Sequence, residues 1–307
     1  MKKKVFLFGL LFSLLLLCGC GVNLTSTVKL NKDFSGTRVM SCTFSSRDFH
    51  SYFKGSKEDL NKLIKESCPD ALTYTSSSSD GNDTYTFYLR FSSLDDYKKK
   101  VRDLLNFSPE ITYEYGDSPF VSGLIYKENF TSKDLMTWLY TALYEGKYID
   151  KDSSSDLWDL KSTEISFLGT TYETKDKINI DEMAYVPLSS IHIDTKTKKS
   201  GKLARVIEFD LPQQTLDQNA GKIRSYFAGN DITWENTSDE KTLCISFDAN
   251  NFSDLAQKTR TVLHSKNSFG TYSSTCSKDN PFTLKINYEE SLDLSHFIQK
   301  NQKIPVT

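Results

Sequence analysis

The feature of this chain that most constrains its fold is an internal repeat, in which residues of the same types recur about 160 positions further on. Three segments recur at an offset of 162 without a gap: Asp117-Ser118-Pro119-Phe120 with Asp279-Asn280-Pro281-Phe282, Tyr126-Lys127-Glu128 with Tyr288-Glu289-Glu290, and Leu135-Met136 with Phe297-Ile298. Nearer the N-terminus, Arg38-Val39 matches Arg205-Val206. An ordered series of matches of this kind predicts two copies of one domain.

Each copy combines strand-like and helix-like patterns. In the first copy the apolar periodicity and the turn and cap residues predict, in order, a hairpin over 28–44, a helix from Ser56, strands over 71–75 and 85–91, a helix from Leu94, strands over 111–115 and 124–126, and a third helix capped by Ser132. The predicted fold class is therefore α+β, with two related domains, each an antiparallel β-sheet with two to three helices packed on one face. We expect domain 1 at 20–145, domain 2 at 185–307, and a linker with extra strands over 146–184.

The N-terminus has the pattern of a secretory signal. Met1-Lys2-Lys3-Lys4 is basic, and the apolar run over 5–17 that follows is too short to cross a bilayer as a helix. Leu17-Cys18-Gly19-Cys20 resembles the bacterial lipobox, whose cysteine receives a diacylglycerol. We therefore expect a lipoprotein signal peptide at 1–19 and a lipoprotein anchored through Cys20, with palmitate-type acyl chains, on the extracytoplasmic face of the cell membrane. The alternative is an ordinary secretory signal, for which an A-x-A type cleavage site is missing.

Charge and composition limit the partners. The formal net charge is −2, and loss of Lys2, Lys3 and Lys4 with the signal peptide would make it about −5. A mildly acidic surface does not favour nucleic acid as a partner, because nucleic-acid binding needs a basic stripe. No second apolar stretch long enough to span a membrane follows Cys20, so we expect the lipid to be the membrane attachment. Few glycines and many lysines, asparagines and serines suggest a low-GC, Gram-positive source.

Three features together resemble the LppM-like domain of bacterial cell-envelope lipoproteins: the lipobox, the early hairpin with Asn31-x-Asp33-x-Ser35-Gly36, and the order of strands and helices. The resemblance covers about residues 20–145 and, through the repeat, the second half of the chain. It implies an α+β sheet domain at the membrane surface that binds a ligand or maintains the envelope, rather than an enzyme.

Motifs that carry catalysis or bind metals and cofactors are missing from the sequence. Zinc-binding spacings, nucleophile elbows and phosphate loops are absent, and the four histidines lie far apart: His50, His192, His264 and His296. Asp150-x-Asp152-x-Ser154 begins like a calcium loop, but Ser155 and Lys161 occupy the positions that need Gly and Glu. We therefore predict a protein without enzymatic activity, cofactor or metal site.

The weak candidates for a binding site are polar residues that occupy equivalent places in both copies: Asp117, Tyr126, Glu128, Asp279, Tyr288 and Glu290. A functional interpretation places them in paired binding clefts or, for the carboxylates, in an acid/base pair. A structural interpretation, which the pattern favours, makes Asp-x-Pro-Phe a turn with an apolar plug and the glutamates strand ends or helix caps. Trp138 is either a ligand platform or, given its helical spacing from Leu135, a core residue.

The cysteines leave two alternatives open. Cys42 and Cys68 lie in the first half of the chain, and Cys244 and Cys276 in the second. Export makes disulfides possible, and two cysteines in each half are consistent with Cys42–Cys68 and Cys244–Cys276 bridges, although four cysteines allow three pairings. The alternative is that all four are small buried side chains.

The predicted function is that of a lipid-anchored extracytoplasmic binding module that acts on an envelope component, whether lipid, glycan or protein. The alternative is a structural or assembly scaffold of the cell envelope that bridges protein partners, and a third, less favoured, is an envelope hydrolase. A lined cavity would favour the binding module, whereas filled cores and an exposed apolar patch on a sheet would favour the scaffold.

Overall fold

The computed structural model describes residues 22–46, 53–105, 107–150, 157–236, 240–265, 267–276 and 284–298. The predicted signal peptide, Cys20 and Asp279 therefore lie outside the described residues. The described chain forms two compact units. Unit 1 contains the residues up to Glu114 and Ile125–Asp181, and unit 2 contains Tyr115–Leu124 and the residues from Glu182 onward. Within the described segments, the helices are all too short or too polar to cross a membrane.

Unit 1 is built on a six-stranded sheet. Its strands are β1 (Val22–Leu30), β2 (Gly36–Ser45), β3 (Thr73–Ser79), β4 (Asn82–Phe91), β7 (Trp158–Phe167) and β8 (Thr170–Thr174). They lie in the order β3-β4-β2-β1-β7-β8. Four of the neighbouring pairs are antiparallel, as predicted, but β1 and β7 are parallel. The reason is that β7 returns to the sheet after a helical segment rather than through a hairpin turn.

Local sequence explains where the helices of unit 1 begin. They are α1 (Lys57–Ser67), α2 (Leu94–Leu104), α3 (Ser132–Leu135) and α4 (Thr137–Glu145). Ser56 and Asp59 form a capping box at the start of α1, and Ser93 caps α2. Tyr97 and Val101 of α2 are fully buried, as their spacing predicts.

The predicted cap of the third helix is wrong by one residue. The N–H and hydroxyl of Thr131 donate to the Asp134 carboxylate at 2.7 and 2.9 Å, so Thr131 occupies the cap position of α3. Ser132 is fully buried instead, and its hydroxyl accepts a hydrogen bond from Arg38. The sequence did not distinguish the two adjacent hydroxyl residues, because both are good caps.

A hairpin of β5 (Ile111–Asp117) and β6 (Val121–Glu128) contributes its base to unit 1 and its tip to unit 2. The base of β6 pairs with β9 (Asn179–Asp181), and the tip pairs with β10 (Ala184–Tyr185). At the tip, Gly123 has a φ of +116°, and a Cβ there would lie 2.0 Å from the Glu182 carbonyl oxygen. A glycine is therefore needed at this close approach.

Unit 2 contains a four-stranded antiparallel sheet and a separate hairpin. Its elements are β11 (Ser190–Thr197), β12 (Leu203–Pro212), α5 (Gln213–Tyr226), β13 (Asp231–Asn236), β14 (Glu240–Ala249), α6 (Phe252–Val262), β15 (Phe269–Cys276) and β16 (Leu284–Ser291). The sheet order β11-β12-β14-β13 corresponds to β1-β2-β4-β3 of unit 1. The α+β class is confirmed, and the duplication stays a prediction.

The units differ from the predicted domains in two places. Strands β7 and β8 fall in the predicted linker over 146–184, yet they extend the sheet of unit 1. Residues 115–124 fall in predicted domain 1, yet they belong to unit 2. Both differences arise from pairing between distant segments, which periodicity along the chain does not encode.

Aromatic rings fill the core of unit 2. Phe120 from the hairpin tip packs with Phe209, Phe227 and Phe297, at centroid distances of 5.9, 6.2 and 5.3 Å. The tip is held as a turn because the Ser118 hydroxyl accepts the N–H groups of Phe120 and Val121. Asp-Ser-Pro-Phe is therefore a turn with an apolar plug.

Candidate functional site

Two of the predicted candidates, Tyr126 and Glu128, lie on β6 and share one side of the strand because they are two residues apart. Their exposed fractions are 0% and 4%. The carboxylate of Glu128 forms an ion pair with Arg38 of β2, whose Nη1 donates to Glu128 Oε2 at 2.7 Å. A charged pair thus lies inside unit 1.

Hydroxyl groups satisfy most of the remaining hydrogen bonds of this pair, although Arg38 Nε is buried without a partner among the described residues. Tyr97 donates to Glu128 Oε1 at 2.7 Å, and Tyr126 donates to the same oxygen. Arg38 donates from Nη1 to the Tyr97 oxygen at 2.7 Å and from Nη2 to Ser132 Oγ at 2.9 Å. We call Arg38, Tyr97, Tyr126, Glu128 and Ser132 the Arg38 cluster. Such extensive hydrogen bonding is what a buried ion pair needs to offset its lost hydration.

The ring of Phe34 covers one side of the Arg38 cluster. Its centroid lies 5.5 Å from that of Tyr97 and 5.6 Å from that of Tyr126. Phe34 has a φ of +60°, a conformation that costs a non-glycine residue roughly 1–2 kcal/mol. Burial of the ring, which is 1% exposed, contributes about 1.5–3 kcal/mol in the opposite direction. Burial of the ring therefore offsets the strain of this turn conformation.

The electrostatics of the Arg38 cluster follow from burial and from the charge pair. Burial acts to lower the pKa of Arg38, but the Glu128 carboxylate together with Tyr97 and Tyr126 outweighs burial and raises that pKa above its usual value. Burial and the neighbouring carboxylate raise the pKa of Tyr97 and of Tyr126 well above the ordinary tyrosine value. The guanidinium therefore stays charged and both phenols stay protonated at neutral pH.

Unit 2 carries a corresponding set of contacts. Arg205 of β12 donates from Nη1 to Glu290 Oε1 at 2.6 Å and to Thr259 Oγ1 at 3.1 Å. Tyr288 donates to the same glutamate oxygen at 2.5 Å. Arg205 also donates from Nη2 to Thr195 at 2.7 Å. We call Arg205, Thr195, Thr259, Tyr288 and Glu290 the Arg205 cluster.

The two clusters differ in how far water reaches them. The side chains of Arg38 and Glu128 are 1% and 0% exposed, whereas those of Arg205 and Glu290 are 1% and 14% exposed. A ligand cannot reach the buried Glu128 carboxylate, and the partly exposed Glu290 carboxylate is already engaged by Arg205 and Tyr288. The arrangement of these glutamates therefore fits the structural interpretation better than an acid/base pair.

Sequence reasoning missed the arginines as partners of the predicted glutamates. Arg38 and Arg205 were matched only as part of the repeat. The available signal was an arginine near the start of an apolar, alternating strand, at the same place in both halves. A charge there has to be compensated within the core, and the matched Glu128 and Glu290 were the candidates.

Asp117, the third predicted candidate in the first half, lies at the end of β5 in unit 2. It lines an open groove of about 640 Å³ together with Pro119, Lys222 and Tyr226. The Tyr226 hydroxyl is buried and lacks a hydrogen-bond partner among the described residues. Burial and the charge of Asp117 raise the pKa of Tyr226. The predicted counterpart, Asp279, lies outside the described residues.

A second groove, of about 460 Å³, opens on unit 1 between α1, α2 and α4. Apolar and polar side chains contribute to its wall: Leu63, Ser67, Asp103, Leu104, Thr137, Trp138, Thr141, Ala142 and Glu145. Trp138 packs edge-on against Phe87 at 5.4 Å, so it belongs to both the core and the groove. Its Nε1 is buried without a hydrogen-bond partner among the described residues. We call this the α4 groove.

A serine, a histidine and an aspartate meet on β11 and β12, but they do not form a catalytic triad. His192 Nε2 lies 3.1 Å from Ser190 Oγ and 3.3 Å from the Asp210 carboxylate, to which Ser190 also donates. A triad needs the carboxylate on the other imidazole nitrogen, so that the histidine can take the serine proton. Burial acts to raise the pKa of Asp210, but hydrogen bonds from Ser190 and Thr242 outweigh it and lower that pKa.

The thiols and the metal-binding residue types form no further site in the described residues. Cys42 and Cys68 are free thiols, so the structure does not contain the Cys42–Cys68 bridge. Cys42 is fully buried on β2, and burial raises the pKa of its thiol. The side chain of Cys276 lies outside the described residues. Across the described residues, three or more His, Cys, Asp or Glu side chains do not converge on a point that could hold a metal ion.

Comparison with known proteins gives no family for this chain. No family model matches it, and no curated protein matches it. Among solved structures, a double mutant of I-SmaMI aligns with 80% of this chain and 81% of its own at 10% identity. The TM-score of 0.17 is too low for an argument about fold or function.

Proposed function

We propose that this protein is a lipid-anchored, extracytoplasmic binding module, held on the cell membrane by a diacylglycerol on Cys20, and that the α4 groove holds part of an envelope component. The lipobox-like Leu17-Cys18-Gly19-Cys20 supports the anchor. The observation that supports binding is the α4 groove, whose volume of about 460 Å³ is in the range of small-ligand sites. The resemblance to the LppM-like domain is compatible with both.

Trp138 is the residue on which ligand recognition in the α4 groove depends. A buried N–H without an acceptor costs about 1–3 kcal/mol, and a small rotation of the indole that brings Nε1 to a ligand oxygen in the groove would remove that cost. Hydroxyl and carboxyl groups of Ser67, Thr141 and Asp103 lie along the same wall. This mixture of one indole with many oxygen atoms favours a hydroxyl-rich ligand, such as a glycan, over a bare hydrocarbon chain.

Native mass spectrometry tests the binding function. The soluble form, residues 20–307 with Cys20→Ser, is incubated with a detergent extract of the host envelope. We expect a discrete added mass that fragments as a glycan or a lipid. This added mass should be lost in Trp138→Phe, which keeps an aromatic ring but removes the indole N–H donor. Trp158→Phe is the matched control, because Trp158 also has a buried, unpaired Nε1 but does not line the groove. An unchanged mass in the parent protein would contradict the proposal and favour a scaffold for protein partners.

A further inference from the structure

The start of β1 lies very close in sequence to the proposed lipid anchor. Only Gly21 separates Cys20 from Val22, the first residue of the strand. Two residues span at most about 7 Å, even when fully extended. The membrane-anchored cysteine therefore cannot be far from the first residue of unit 1.

The first residues of β1 are an integral part of the sheet. Val22 and Leu24 are 1% and 0% exposed, and the N–H of Val22 donates to the Leu157 carbonyl at 2.7 Å. Val22 also pairs with Trp158 at the start of β7. Because β1 is fixed by neighbours on both sides, its beginning cannot act as a flexible tether without loss of core contacts.

Several chain turns lie at the same end of the unit 1 sheet as Val22. Asn23 is paired with Thr43 near the end of β2, and Ser45 is paired with Asn82 at the start of β4. Ser46 closes this end, because its N–H and hydroxyl both donate to the Gly81 carbonyl, at 3.1 and 2.8 Å. We call Val22, Ser46 and the β3–β4 turn around Gly81 the proximal end.

The opposite end of the sheet is formed by the two turns that follow β1 and β7. Leu30 is paired with Phe167, and Phe167 is paired with Thr170 across the β7–β8 turn. Nine residues of strand separate the two ends, which corresponds to roughly 27 Å at about 3.3 Å per step. We call the turn at Leu168-Gly169 and the β1–β2 turn the distal end.

We propose that the proximal end of unit 1 faces the lipid headgroups of the cell's own membrane and that the strands of its sheet point away from the bilayer. This inference rests on the proposed lipidation of Cys20. The short connection from Cys20 through Gly21 to Val22 holds the start of β1 close to the membrane surface. The exposed side chains nearby are short and polar, as in Ser79, Asp80 and Asn82, so they suit the hydrated headgroup layer rather than the hydrocarbon core.

Resonance energy transfer to the membrane measures this orientation. The full-length lipidated protein is reconstituted into liposomes that contain a rhodamine-labelled lipid. An azide-bearing residue, coupled to a donor dye, replaces either Ser79 at the proximal end or Thr170 at the distal end, both of which are exposed. Because both sites belong to unit 1, the comparison reports on this unit alone. We expect the donor at Ser79 to be quenched at least about twofold more strongly than the donor at Thr170, because about 27 Å of strand separates the two ends of the sheet.

A longer connection is the matched control. Six flexible Gly and Ser residues inserted between Gly21 and Val22 should bring the quenching of the two donors close together, because the start of β1 is then free of the surface. If the donor at Ser79 is still quenched more strongly than the donor at Thr170 in the protein with the insert, the short connection is not the cause of the difference. Equal quenching in the parent protein, or stronger quenching at Thr170, would overturn the orientation while leaving the anchor intact. Failure of the protein to float with liposomes would overturn both proposals.

Discussion

Arg38 and Glu128, which are 90 residues apart in the chain, form an ion pair of 2.7 Å in which neither side chain is more than 1% exposed. The pair joins β2 of the large sheet to β6 of the hairpin. Two tyrosines and a serine satisfy most of its remaining hydrogen bonds, and Arg38 Nε is buried without one among the described residues. Loss of one partner of this pair is therefore expected to lower the stability of the protein far more than loss of one partner of a surface ion pair.

Replacement of Glu128 tests this sensitivity. Glu128→Gln leaves the Arg38 charge buried without its counter-ion, and should lower the free energy of unfolding by about 3–5 kcal/mol. The measurement is urea unfolding followed by tryptophan fluorescence. Lys127→Met on the same strand is the control, because Lys127 and Asp181 are 41% and 57% exposed, and we expect a change below about 1 kcal/mol. Equal effects of the two substitutions would contradict a special role for the buried pair.

Alkaline pH should destabilise unit 1 through Tyr97 and Tyr126. Their pKa values are raised in the folded protein, so above about pH 10 the unfolded chain has released protons that the folded chain still holds. The stabilisation is complete below about pH 10 and is lost as pH rises further, by about 1.4 kcal/mol per pH unit for each tyrosine. Urea unfolding at several pH values measures the slope. Tyr126→Phe should reduce it, and an unchanged slope in this variant would exclude Tyr126 as a source.

Phe120 should be essential to unit 2 although it lies in the first half of the chain. It is 1% exposed among three phenylalanine rings, so Phe120→Ala should cost about 3–5 kcal/mol in the stability of unit 2. Phe269→Ala, at a site that is 59% exposed, should change stability by less than about 0.5 kcal/mol. Differential scanning calorimetry of both variants checks this. A similar melting temperature for the two would show that the hairpin tip is not part of the core.

The cysteines should differ in reactivity. Cys42 is fully buried and burial raises the pKa of its thiol, whereas Cys68 is only partly buried at the end of α1. Because the thiolate is the reactive form and needs access, iodoacetamide should modify Cys68 well before Cys42 in the native protein. Peptide mass spectrometry after timed alkylation measures the order, with urea-unfolded protein as the control. A Cys42–Cys68 disulfide would appear instead as resistance of both thiols in urea.

Local sequence predicted the parts of this fold that depend on neighbouring residues. The helix cap at Ser56, the buried stripe of Tyr97 and Val101, and the turn that presents Phe120 each arise within a few residues of the chain. The pairing of β7 with β1 was not predicted, because apolar alternation identifies a strand without naming its neighbour.

The candidate residues show the same limit. Tyr126 and Glu128 were singled out because they recur, but recurrence does not distinguish a ligand site from a structural cluster. The buried ion pair with Arg38 favours a structural cluster, and Arg38 lies 90 residues from Glu128 in sequence. The α4 groove was not predicted at all, because it depends on how three helices are arranged around Trp138.

Lipidation of Cys20 can be measured through the intact mass of the protein extracted from membranes. We expect a chain that begins at Cys20 and carries the added mass of a diacylglycerol. Cys18→Ala, which introduces a more usual lipobox residue, should leave this mass pattern in place, whereas Cys20→Ser should abolish the lipid mass. A membrane-derived protein that begins at another residue, or that begins at Cys20 without added lipid, would show that Cys20 is not the lipid anchor.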